Sequence, residues 1–224
     1  MEKVYILRVR TLTHTRFIFL HMFIQIHPKD PQPRLIKQVV ESLKDGGIIV
    51  YPTDTIYGLG CDIYNTKAVE KICRIKGIDP KKAQFSIVCS DLSHLSTFAK
   101  QISTATFRTL KEYLPGPYTF ILPASKQVPK ILQGRKDTIG LRVPDNKITI
   151  SLIKELGNPI LSTSLPGNDV EEYTDPEIIY NNYKNLVDIV VDGGIGGTSP
   201  STVVMYDDEE GFTVTRQGLG EWKL

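Results

Sequence analysis

Tyr51–Gly60 reads YPTDTIYGLG. The apolar run Ile48–Tyr51 that leads into it has the length and branching of a short buried strand, and Pro52 ends that strand. Behind the proline, Thr53 and Thr55 flank Asp54, and Tyr57-Gly58-Leu59-Gly60 follows. The pattern predicts a glycine-rich turn with two hydroxyl donors at a strand end, where connecting segments line clefts. Gly58 and Gly60 allow a ligand or another backbone to approach closely. Structural glycines in a tight turn would look the same, so the stretch alone leaves both readings open.

Working outward, Pro33 suits a first helical turn, and Leu35, Ile36, Val39, Val40 and Leu43 recur at helical spacing until Gly46-Gly47. Asn65 or Thr66 can cap a helix running toward Ile75. Phe85–Cys89 reads as a strand. Thr104–Leu114 reads as a helix broken by Pro115-Gly116-Pro117. Tyr118–Leu122 and Thr138–Val143 are predicted strands, Ile148–Leu156 a helix ended by Gly157, and Pro159–Ser162 a short strand. Thr174 and Glu177 suggest a capping box for a helix over Pro176–Tyr183. Val187–Val191, Thr202–Tyr206 and Phe212–Arg216 read as strands, the last two as a hairpin across Asp207–Gly211. Helices and strands interleave, and some neighbouring strands look hairpin-like. This predicts an α+β (mixed α/β) fold, a twisted mixed sheet flanked by helices.

Composition narrows the function classes. The chain has 224 residues, 41% hydrophobic and 23% charged, with a formal net charge of +2. A balance so near zero excludes a histone-like polybasic protein, though not a local basic groove. Cys61, Cys73 and Cys89 are odd in number and form no C-x-x-C, so they read as reduced thiols. The four histidines show no metal-ligand spacing, so no metal ligand is assigned. Phe17–Ile26 is apolar but carries His21 and Gln25 and is too short to span a bilayer. Met22 reads as a natural first residue. Residues 1–21 are then an extension without function, and 22–220 form a single domain in a cytoplasmic protein that engages no membrane.

Four further segments could carry chemistry. Arg74-Ile75-Lys76-Gly77, with Lys81-Lys82, is a phosphate clamp or simply the solvated, dipole-complementing end of a helix. Arg142 sits in the apolar strand TIGLRVP and needs an anionic partner, either a protein carboxylate or a ligand phosphate. Leu161–Leu165 places three hydroxyls at a strand end. Gly193-Gly194 leads to Pro200-Ser201-Thr202, a candidate anion nest or plain turn chemistry. No G-x-x-x-x-G-K-[ST] or G-x-G-x-x-G motif occurs. Hydroxyls and cations recur at strand ends while His and Cys do not cluster, which suits anion binding and electrostatic catalysis and not a nucleophilic triad.

YPTDTIYGLG, the lysine of RIKGIDPKKAQFSIV, PGPYTFIL, TIGLRVP, PILSTS and GGIGGTSPSTVV occur in the order found in the YrdC/YciO family, and from about Phe23 to Gly220 the chain resembles that family. The resemblance implies a YrdC-like fold with one large basic cavity, binding of ATP or AMP, and affinity for RNA. For the catalytic branch it implies threonylcarbamoyl-AMP synthesis from threonine, bicarbonate and ATP, a nucleotidyl transfer in threonylcarbamoyladenosine modification of tRNA. Carried over, Lys76 and Arg142 are the catalytic candidates and hold phosphate or carboxylate groups. Thr55 and Tyr57 line the threonine and carbamate region. Ser162, Ser164, Ser201 and Thr202 contact the nucleotide, and Arg216 stands at the rim. Mg2+ accompanies ATP as substrate, and no tightly bound cofactor is implied. Two departures stand out. The catalytic branch carries Lys-x-Arg where this chain has Lys76-Gly77-Ile78, and Ser-x-Asn where it has Ser164-Leu165-Pro166, with Asn168 off register. Both bring the chain nearer the YciO branch. The alternative implied is a YciO-type double-stranded RNA- or nucleotide-binding protein lacking full synthase activity.

Overall fold

Strands that are apolar on both faces must lie between covering layers, and this requirement sets the architecture. The structure is a computed structural model and describes residues 22–80, 83, 85–133, 137–165, 169–209 and 211–223. The extension 1–21, Lys81, Lys82, Pro166 and Asn168 lie outside the described residues. In chain order the elements are β1 (Met22–Gln25), α1 (Pro33–Lys44), β2 (Ile49–Tyr51), β3 (Gly58–Asp62), α2 (Thr66–Lys76), β4 (Ser86–Val88), α3 (Leu92–Phe98), α4 (Thr104–Tyr113), β5 (Tyr118–Pro123), β6 (Thr138–Arg142), α5 (Lys147–Leu156), β7 (Ile160–Ser164), α6 (Glu171–Thr174), α7 (Pro176–Tyr183), β8 (Ile189–Asp192), β9 (Thr202–Asp207) and β10 (Gly211–Arg216). The strands form one sheet in the order β1-β8-β2-β3-β7-β4-β6-β5-β9-β10. β1–β8, β2–β8, β4–β6 and β5–β9 pair in parallel, and the other pairs are antiparallel. The mixed sheet expected from the interleaved pattern is the one observed.

Two apolar layers hold this sheet. On one face, Leu59, Cys61, Ile87, Leu161, Leu141 and Phe120 pack against residues of α2, α3, α4 and α7. On the other face, Tyr51, Val88, Ile160, Ile189 and Val191 pack against α1 and α5. The strand residues in this second layer come from β1, β8, β2, β7 and β4. On the same face, further along the sheet, alternation presents Ser86, Ser162, Gly140 and Thr119. Small and polar side chains there leave an open cavity where a third covering helix would otherwise sit.

Two sequence expectations change, and one helix appears that the sequence reading did not include. Gly58–Gly60 is not a turn but the start of β3, fully buried between β2 and β7. Glycine is required in this strand because a Cβ on Gly60 would lie 2.5 Å from the Leu161 carbonyl oxygen and 2.8 Å from the Tyr51 ring. The cap of α7 is Asp175, whose carboxylate accepts from the N–H groups of Glu177 and Ile178. Thr174 instead ends α6, because its hydroxyl donates to the Val170 carbonyl oxygen at 2.9 Å. Helix α3 has only seven residues, too few to show a period, and is started by Asp91 accepting from the His94 N–H. Elsewhere the local signals hold. Asn65 caps α2 through the Ala68 N–H, Gly77 and Gly157 close α2 and α5 in the left-handed conformation, and β9 and β10 form the expected hairpin.

Candidate functional site

The cavity has a volume of about 420 Å3. Phe85, Ile121, Leu132, Ile139, Val203 and Met205 make its apolar lining. Thr53, Thr55, Ser86, Thr119, Arg142, Ser162, Ser164, Ser201 and Arg216 make its polar lining. Gly140 keeps the floor low, since a Cβ there would stand 3.0 Å from Ser86 Cβ and 3.2 Å from Thr119 Cγ2.

The polar part is organised around Arg142. Its side chain is buried, and its Nη2 donates to Asp54 Oδ1 at 2.5 Å and to Thr55 Oγ1 at 2.6 Å. The anionic partner that a buried arginine demands is therefore a protein carboxylate, while Nε finds no partner among the described residues. Asp54 is held in turn, because its Oδ2 accepts from the Asp145 N–H at 3.1 Å just before α5. The loop between β2 and β3 folds on itself to aim these groups. Thr53 Oγ1 donates to the Ile56 carbonyl oxygen at 2.7 Å and accepts from the Thr55 N–H at 3.0 Å, a hydroxyl-stabilised turn.

A second guanidinium faces the same space. Arg216 Nη2 donates to the Ser201 carbonyl oxygen at 2.8 Å, and the Ser201 hydroxyl pairs with that of Thr119 at 2.8 Å. Burial, and then the positive charge of Arg142, push Arg216 below its ordinary pKa. Two guanidinium groups lining one half-buried cavity favour an anion between them. Ser201 is itself set by the chain end. Thr202 Oγ1 donates to the Gly220 carbonyl oxygen at 2.6 Å, the Leu219 N–H donates to Pro200, and Trp222 stacks on Tyr113 with ring centroids 4.5 Å apart.

Of the residues expected from sequence, Thr55, Tyr57, Arg142, Ser162, Ser164, Ser201 and Arg216 line this one cavity. Lys76 is placed beside it. From the end of α2 its Nζ donates to the Ser164 carbonyl oxygen at 2.7 Å, and burial lowers its pKa. Thr202 stands behind the wall, fully buried, with its hydroxyl engaged by Gly220. The Tyr57 hydroxyl is also engaged, donating to the Gly194 carbonyl oxygen at 2.7 Å and accepting from the Gly193 N–H at 3.1 Å. The Gly193-Gly194 segment is not an open anion nest. The Gly194 N–H goes to Asp192, and those of Gly196 and Gly197 go to the Thr174 and Thr55 carbonyl oxygens. At the first departure Ile78 packs against the apolar layer next to α2; at the second, Pro166 lies outside the described residues, and the preceding Leu165 is buried. Asp54, Ser86 and Thr119 received no role from sequence. Asp54 did carry a signal, since an arginine in an apolar strand calls for a carboxylate somewhere in the chain.

Among the described residues lining the cavity none is a carboxylate, and Asp54 beside it is bound to Arg142. The donor set thus suits ligand anions. The arrangement can hold a polyanion against guanidinium and hydroxyl donors, with an apolar surface for a planar or aliphatic part.

The Sua5/YciO/YrdC family model, described as "Telomere recombination", matches residues 41–218. The uncharacterized protein YciO of Escherichia coli is 45% identical over 207 residues, covering 91% of this chain and 98% of that protein. Its crystal structure superposes with a TM-score of 0.82 over 89% of this chain and 96% of that one. A threonylcarbamoyl-AMP synthase of Coxiella burnetii is 30% identical over 175 residues, covering 78% of this chain and 94% of the synthase. P. abyssi Sua5, crystallised with L-threonine, is 26% identical with a TM-score of 0.77, covering 88% of this chain and 57% of Sua5.

Proposed function

We propose, since the chain belongs to the Sua5/YciO/YrdC family, that its cavity binds ATP and threonine and performs nucleotidyl transfer of the threonylcarbamoyl-AMP synthase type. The observation that carries this reading is the convergence of Arg142 and Arg216 on one hydroxyl-lined cavity with an apolar wall. Bicarbonate and the threonine amine give a carbamate and water. A carbamate oxygen attacks the α-phosphorus of ATP, and pyrophosphate leaves. Negative charge grows on the phosphate oxygens, and fixed cations and hydroxyl donors are the groups that stabilise it. Arg142, locked by Asp54 and Thr55, needs no reorganisation as that charge develops. Arg216 and Lys76 supply further cationic donors, and Ser162, Ser164 and Ser201 supply hydroxyls. Mg2+ enters as part of the ATP substrate. A cytoplasmic setting, where ATP, threonine and tRNA meet, belongs to the proposal. Among the described residues no helix is long and apolar enough to cross a membrane. The test is pyrophosphate release by the purified protein with ATP, bicarbonate and threonine. Release must depend on threonine, and release that ignores threonine, or none at all, ends this reading.

A second reading is favoured by one observation. Ile78, at the place where the catalytic branch carries arginine, is packed against the apolar layer and offers no charge. Under this reading the protein binds nucleotide or double-stranded RNA without full synthase activity. RNA binding would then weaken with salt, and further when Lys76, Lys81 and Lys82 are neutralised. Binding indifferent to salt and to these lysines counts against it.

A further inference from the structure

Asp54 lies in the YPTDTIYGLG stretch, yet neither the family pattern nor the proposed reaction gives it a task. Its two oxygens tie the β2–β3 loop to the end of β6 and to the segment that follows it: Oδ1 meets Arg142 Nη2, and Oδ2 accepts from the Asp145 N–H ahead of α5. Arg142 is buried and Asp54 nearly so, with side chains 8% and 9% exposed. In the sheet Arg142 is paired beside Val88 and has no other carboxylate partner among the described residues. An anionic ligand entering the cavity therefore meets a guanidinium that already holds a carboxylate.

We infer that Asp54 is a positioning residue and also a built-in competitor anion. It fixes the Arg142 guanidinium through Nη2 and lowers the cavity's affinity for free anions, so that a polyanionic product can leave. Removing its charge frees Arg142 to grip an incoming anion more tightly and lets the guanidinium leave its fixed position. Affinity and turnover then move in opposite directions, whereas a merely structural carboxylate would weaken both.

The turnover part of this inference rests on the proposed reaction, and the affinity part does not. Wild type, Asp54→Asn and Asp54→Glu are compared as full chains. Pyrophosphate binding is measured by calorimetry at fixed ionic strength, melting with and without pyrophosphate, and threonine-dependent pyrophosphate release by steady-state kinetics. Asp54→Asn should bind pyrophosphate about tenfold more tightly. Its melting temperature should gain more from pyrophosphate than that of wild type. Its kcat should fall about a hundredfold, with Asp54→Glu recovering most of the loss. Equal or weaker pyrophosphate binding by Asp54→Asn overturns the inference, as does a variant that stays unfolded at every pyrophosphate concentration. If wild type itself shows no threonine-dependent release, the proposed reaction falls, and the binding comparison still decides the role of Asp54.

Discussion

Lys76 shows how burial and charge act on a single side chain. Desolvation pulls its pKa below the ordinary value of 10.5. Between the lowered value and 10.5 the unfolded chain keeps a proton that the folded chain has released, so folding stability rises with pH across that interval. Below the lowered value both forms are charged, and the folded state carries the full desolvation penalty. Lys76→Gln should flatten this rise, as read from urea midpoints at successive alkaline pH values. An anion bound beside Lys76 should reverse the shift, so ATP binding takes up protons at alkaline pH. Calorimetry in buffers of different ionisation enthalpy checks this. The Asp54–Arg142 pair carries more energy. Leaving a buried arginine without its partner costs about 3–5 kcal/mol in comparable cases. At this scale the sequence was half legible. Both partners stand out as residue types, but 88 positions separate them and only the folded chain joins them.

The glycines of β3 and the helix-ending glycine of α2 are alike in sequence and opposite in role. Gly60→Ala drives a Cβ into the backbone of β7 and the Tyr51 ring. Gly77→Ala meets nothing within 4 Å and carries only the strain of a φ of +64°. The first should cost about 1–3 kcal/mol or more by overpacking and the second about 1 kcal/mol, both measurable as changes in urea midpoint. Only the first should also disturb the cavity, because Gly58 and Gly60 pair with Ser164 and Ser162. Elements with a clear period, such as α1 and α5, or with a tight turn, such as the β9–β10 hairpin, were legible before folding. β3 was hidden because glycines chosen for close approach carry none of the branched or aromatic residues that mark a strand.

Across the whole molecule, the cavity exists because α1 and α5 cover part of one sheet face, and no local pattern announces where coverage stops. The family order of motifs supplied what periodicity could not. The chain end closes the wall at Ser201, so Trp222→Ala should act at a distance. Loss of the stack on Tyr113 should cost about 2–3 kcal/mol, about 4–12 °C in Tm, and should raise the KM for nucleotide. Thermal melting and steady-state kinetics check the two effects. The parallel pairing of β1 with β8 has a different kind of consequence. Gln25 and Asp192 meet across 167 positions of chain. At synthesis rates of about 5–20 residues per second, that separation corresponds to roughly ten to thirty seconds. On the ribosome, β1 has no partner for that interval and β2 has only the β3 side of its ladder, leaving hydrogen-bonding edges open to other chains. The strand made early must wait for the strand made late, so the speed of translation and the company of chaperones bear on how much of this protein reaches its sheet.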